Sequence, residues 1–137
     1  MDGQTGLDQP AGTNRPSGAA TFHRPGPMQR GEALFNGQGK CSECDMPPLY
    51  TDAGYNAHTP AEICIDSFQA DRGPTGAIGS TMVTPQLSGL WARSKRGFFH
   101  DSRFPTLLDV VDHYNTCFSL GLSPGDKSDL VQFVKSR

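Results

Sequence analysis

The chain has 137 residues, a formal net charge of −2 and a pI near 6.0, which leaves no basic footprint of the kind nucleic-acid binders carry. Leu, Ile, Val and Phe supply only 26 residues, against 16 Gly and 11 Pro, so a single domain with a sparse core and much irregular backbone is expected. No stretch is long and apolar enough to span a membrane, and a core this small calls for a staple, a metal or a large buried cofactor.

Residues 1–27 hold Leu7 and Phe22 as their only large aliphatic or Phe side chains and are rich in Gly, Pro, Thr and Ala. They are expected to form a flexible tail or linker, with His23 too poorly scaffolded to act as a ligand. The first residues lack the basic start and apolar run of a secretory signal. The expected location is therefore the cytoplasm or, for a piece of a longer exported chain, the periplasm. The folded domain is expected over 28–137. It opens with "MQRGEALFNGQG", where Met28, Ala33, Leu34 and Phe35 suggest a short helix stopped by Gly37 and Gly39. "CSECD" follows at once, placing Cys41 and Cys44 three positions apart with Asp45 next. From Met46 to about Gly89 the sequence reads as loop, much longer than an ordinary connection. "RSKR" (Arg93 to Arg96) reads as a solvated rim, with a docking patch for an acidic partner as the lesser alternative. "PTLLDVVDHYN" predicts a helix capped by Thr106, with Leu107, Val110, Val111 and Tyr114 on one face. "SPGDKSDLVQFVKSR" predicts a last helix capped by Ser123, with Pro124 at its first position and Leu130, Val131, Phe133 and Val134 buried. Lys135 and Arg137 suit its negative end.

The cysteines carry the chemistry. A bare Cys-x-x-Cys serves equally as a disulfide, a redox pair or half a zinc site. With a following histidine it would be a c-type haem attachment site, but Asp45 occupies that position. Cys41, Cys44, His58 and Cys64 also read as C-x2-C-x13-H-x5-C, a spacing that suits tetrahedral zinc. "PTGAIGS" lacks the strand-to-helix context of a phosphate-cradling loop or a nucleophile elbow.

The tracts "RGEALFNGQGKCSEC", "PPLYTDAGYNAHTPAEI", "TPQLSGLWARSKRGFFHDSRF", "TLLDVVDHY" and "LGLSPGDKSDLVQFVKS" together resemble the C-terminal haem domain of the di-haem cytochrome c peroxidase family. The likeness runs in unbroken order from Arg30 to Lys135. It implies an all-α, cytochrome c-like domain of short helices around a haem pocket with a long ordered loop. One helix would lead into the cysteine motif, and a C-terminal helix would cross it. Cys41 and Cys44 would bond covalently to one haem c. Asp45 stands in the position of the proximal iron ligand, and Met82, upstream of "TPQL", is the distal candidate, since thioether sulfur is a common sixth ligand. Trp91, Phe98, Phe99 and Tyr114 would line the dry pocket. Ser102 departs from the pattern, where the family tends to have glycine, and Cys64 and Cys117 look like additions.

With one haem motif, the expected activity is electron transfer with a redox partner protein or a second haem domain. Peroxidase chemistry would need that second domain, with Glu62, Asp66 or His100 as acid–base candidates. His100 is expected to be a structural histidine whose tautomer Asp101 could fix, and His113 a surface or helix-packing residue. The competing reading is a haem-free structural or interaction module. It would be stapled by zinc at Cys41, Cys44, His58 and Cys64, or by disulfides between Cys41 and Cys44 or between Cys64 and Cys117.

Overall fold

The computed structural model describes residues 24–72 and 82–137. The expected tail falls mostly on 1–23, and His23 and "PTGAIGS" also lie outside the described residues. Among the described residues four helices occur in the order α1 (Pro27–Asn36), α2 (Leu90–Arg93), α3 (Leu107–Cys117) and α4 (Pro124–Lys135), with 3-10 turns at Cys41–Glu43, Ala70–Arg72 and Ser94–Arg96. Among the described residues β structure is confined to isolated bridges, such as His58 with Met82 and Phe98 with Phe104. The molecule is therefore mostly α, as its sequence suggested.

The helices begin where side chains supply the missing acceptors. Thr106 accepts from the Asp109 amide while Asp109 accepts from the Thr106 amide, and Ser123 and Asp126 repeat the arrangement at the start of α4. Each reciprocal cap contributes about 1 kcal/mol. α1 has no side-chain cap and starts instead on Pro27, whose missing N–H leaves one fewer donor to satisfy.

The core sits where α1 crosses α4. Phe35 is fully buried, and Leu130 and Phe133 are each 2% exposed. Val111, Leu122, Val131 and Val134 complete the cluster. The rings of Phe35 and Phe133 meet at 5.2 Å, and Tyr50 stands edge-on to Phe35 at 5.7 Å. Fully burying one such side chain contributes about 1.5–3 kcal/mol. The crossing is close because Gly31 has no side chain: a Cβ there would lie 2.2 Å from the Asp129 carbonyl oxygen. Arg30 closes the same crossing with a two-pronged ion pair, Nε to Oδ2 at 2.6 Å and Nη2 to Oδ1 at 2.9 Å of Asp129. The buried face of α1 is thus Gly31 and Phe35, with Leu34 beside them. Met28 and Ala33, which with them suggested the helix, are exposed.

The described parts of the long loop are held by polar pins rather than by apolar mass. The Thr51 hydroxyl donates to the Thr84 carbonyl at 2.6 Å, and the Leu87 amide donates to the Tyr50 carbonyl at 3.0 Å. Arg137 donates to the Tyr50 hydroxyl at 2.8 Å and lies over the Phe133 ring. Its role is to pin the loop, beyond the dipole contact expected from sequence. A disulfide between Cys64 and Cys117 fastens the middle of the loop to the last residue of α3.

Candidate functional site

The cysteine motif is delivered straight from the core. The Gly39 amide donates to the Leu34 carbonyl at 2.7 Å, and a Cβ at Gly39 would lie 2.7 Å from that same oxygen. Glycine therefore lets the chain fold back over the end of α1. Lys40 follows with φ 56°, and the 3-10 turn begins at Cys41. The Cys41 carbonyl accepts from both the Cys44 amide at 3.3 Å and the Asp45 amide at 2.9 Å. The turn thus fixes two cysteines and one carboxylate as a rigid unit. Both thiols are free and half-buried.

The surroundings of this unit are dry and negative. Burial pushes the Cys41 thiol up to about 12, helped by the charge of Asp45. Burial also raises Cys44, with Asp52 and Asp45 adding to it. Asp45 is pushed up to about 7 by burial and by the Asp52 charge, and its Oδ1 is buried without a hydrogen-bond partner. The phenol of Tyr114 on α3 is raised as well, first by burial and then by the charges of Asp45, Cys44 and Cys41. Tyr114 is thus close enough to the cysteine motif to feel its charges.

Asp52 went unnoticed in the sequence and is completely buried. Burial alone would raise its pKa. Hydrogen bonds from His58 Nε2 at 2.6 Å and Asn56 Nδ2 at 3.0 Å to its Oδ2 outweigh that and hold the carboxyl below its ordinary value. The only sequence signal was position, an acid inside "LYTDAGYNAH" where the loop has few apolar residues to bury. His58 is thereby engaged with Asp52, and its backbone pairs in both directions with Met82, at 2.8 and 2.7 Å. Met82 is half-buried, so the distal candidate is tied to the loop that carries Asp52.

Two expectations need correction. Cys64 is bonded to Cys117 and has no thiolate to offer a metal, so the four-residue zinc site is not formed. Cys41, Cys44 and His58 also fail to bring ligand atoms together at ion-binding distance. The reason is chemical: once oxidised, Cys64 serves as a staple. Trp91, expected in the dry pocket, is 74% exposed, because α2 is a single short turn that presents it outward. Phe98 lines an outer groove with Trp91. Phe99 packs inward, 4.8 Å from Phe104 and 6.1 Å from Tyr114.

Among the described residues, the other two histidines make packing and hydrogen-bond contacts away from the cysteine motif. His113 Nε2 donates to the Cys64 carbonyl at 2.7 Å, which fixes its tautomer. His100 stacks flat on Phe68 and lies 3.6 Å from Asp66, with the Asp101 carboxylate, held by Arg103, also within 4.8 Å. Asp66, His100 and Asp101 could together hold a cation, but Arg103 already neutralises both carboxylates. Glu62 caps a turn through the Thr59 amide and hydroxyl.

No family model, curated protein or solved structure matches the chain.

Proposed function

We propose that this is a monohaem, cytochrome c-like electron-transfer domain related to the di-haem cytochrome c peroxidases. The observation that carries the reading is the rigid turn at Cys41–Glu43, which leaves two free thiols beside the buried, unpartnered Oδ1 of Asp45. An acceptor oxygen left unpaired in a dry site costs about 1–3 kcal/mol, and a ligated iron would relieve that cost. The implied architecture offers further support: one helix leads into the motif and α4 crosses that helix. Ser102 has φ 59°, the left-handed conformation that glycine favours, at the position where the resemblance implies glycine.

The fit is good for attachment and poor for the proximal ligand. Cys41 and Cys44 would hold the porphyrin, and Met82 is the candidate for the far side. When bound, haem supplies a one-electron iron couple. Tyr114, backed by Phe99, would line the apolar side of the pocket, and the packing of Cys41 against the α1–α4 core would limit reorganisation during electron exchange. A dry pocket and a thioether raise the potential of such a couple. The Asp45 carboxylate opposes them, since a hard anionic oxygen donor favours the ferric state. The partner on this reading is a redox protein or a second haem domain. The disulfide supports an oxidising compartment such as the periplasm.

The test is production in a periplasm with an active c-type maturation system, alongside Asp45→His, read by haem-stained denaturing gel and by the reduced absorption spectrum. Staining of the unaltered chain is the expected result, with a stronger band in the histidine variant. Staining of the histidine variant alone means a retained pocket in a disabled cytochrome. If neither stains, the haem reading fails and the chain is a disulfide-stapled structural module.

A further inference from the structure

On the face formed by α2, the start of α3 and the end of α4, Trp91 stands 74% exposed and Leu108 45% exposed. They border an apolar groove of about 470 Å³ whose walls include Phe98, Leu107 and Val131, with Lys135 at its edge. Contiguous exposed apolar surface rimmed by polar residues marks contact sites, and Trp is among the residues enriched at interface anchors.

The charges around the groove specify the occupant. Lys95 and Arg96 follow directly from Ser94, another wall residue. Lys95, Arg96 and Lys135 are all exposed, and the ion pairs among the described residues use other cations. From Arg72 to His100 the sequence carries four Lys or Arg and no Asp or Glu, in a chain whose net charge is −2. Asp109, three residues beyond the wall residue Thr106, is engaged with the Thr106 amide and hydroxyl. The face is therefore basic at its rim and apolar at its centre, against an acidic remainder.

We propose that this groove docks an acidic protein segment carrying an apolar anchor: the anchor packs against Trp91 and Phe98, and its carboxylates pair with Lys95, Arg96 and Lys135. The rim charges speed encounter and set register, while the anchor supplies most of the retention. The surface stands on its own residues and does not depend on the haem reading.

Trp91 is the chain's single tryptophan, so its emission reports the groove directly. The probe is a synthetic peptide of two leucines flanked on both sides by aspartates and glutamates, titrated into the full chain and followed by emission and by calorimetry. Saturable binding with a blue shift of Trp91 is expected, weakening steeply toward about 1 M salt, where the Debye length is about 3 Å. The Lys95→Glu/Arg96→Glu double variant should weaken it about tenfold or more, and Trp91→Ala about tenfold by calorimetry. Circular dichroism unchanged in both variants would exclude misfolding as the cause. The proposal is overturned if the peptide leaves Trp91 unmoved and calorimetry silent, or if charge reversal leaves the affinity intact. A shift produced by anionic phosphatidylserine vesicles but not by the peptide would overturn it in favour of a membrane surface. A shift that depends on protein concentration alone would overturn it in favour of self-association.

Discussion

The crossing of α1 and α4 and the loop that runs from Met46 toward α2 are held by different physics. In the crossing, Phe35, Leu130 and Phe133 are almost wholly removed from water, and Gly31 lets the two backbones touch. Among the described residues of the loop the most deeply buried side chain is a carboxylate, Asp52, held through its Oδ2 by His58 and Asn56 while its Oδ1 has no partner. A chain with few large apolar residues can afford one packed region only. It orders the rest with hydrogen bonds, an Arg137 clamp and a disulfide. The cysteine motif sits at the seam, attached to the packed side and facing the polar one.

The largest way to break this comparison is to empty the packed side. Phe133→Ala removes the ring shared by Phe35, Tyr50 and Arg137 and should cost about 3–5 kcal/mol. Chemical denaturation should show the whole molecule losing stability cooperatively, loop included. Retained helicity with a loosened loop alone would contradict the division. Next in size is the staple: Cys64→Ser with Cys117→Ser should cost about 2–4 kcal/mol, the usual range for a bridge closing a long loop. Hydrogen exchange should rise most in residues 46–72 and little in α1 and α4. Equal deprotection of α4 would mean that the loop supports the core.

The smallest effect is a pH dependence that sharpens the seam. In the haem-free protein, Asp45 titrates near 7 instead of at 3.8, so across that window the folded state keeps a proton that the unfolded state has lost. Stability should fall as pH rises from about 4 to about 7, by about 1–3 kcal/mol for an uncompensated buried group. Asp45→Asn should flatten this slope. Asp52 acts in the opposite sense: its depressed pKa gives stability that is complete above the ordinary carboxylate range and lost as pH falls through the folded value. The urea midpoint measured against pH separates the two, since only the neutral-side slope should vanish in Asp45→Asn.

Much of the packed side was legible in the sequence. The periodic Leu130, Val131, Phe133 and Val134, the Thr106 and Ser123 caps and the glycine stop after Phe35 are local signals, and each fixes an element whose physics is local. The cysteine motif was legible for the same reason, since its turn depends on adjacent residues. The Asp52–His58 bond, the outward placement of Trp91 and the approach of Asp66 to His100 were not. Each depends on which distant segment the loop meets, and spacing in sequence carries no information about that.

By itself, then, the sequence determined α1, α3 and α4, the caps, the sparse core and the cluster of Cys41, Cys44 and Asp45, but not the short α2. It left the partner of Cys64 open between zinc and Cys117, because a thiol serves either chemistry. Only the tertiary structure decided that, by bringing the middle of the loop against the end of α3. It likewise decided that Asp45 Oδ1 is buried and unpaired and that Trp91 faces solvent. Burial is a property of what packs against a residue, and for these two the packing partners come from elsewhere in the chain.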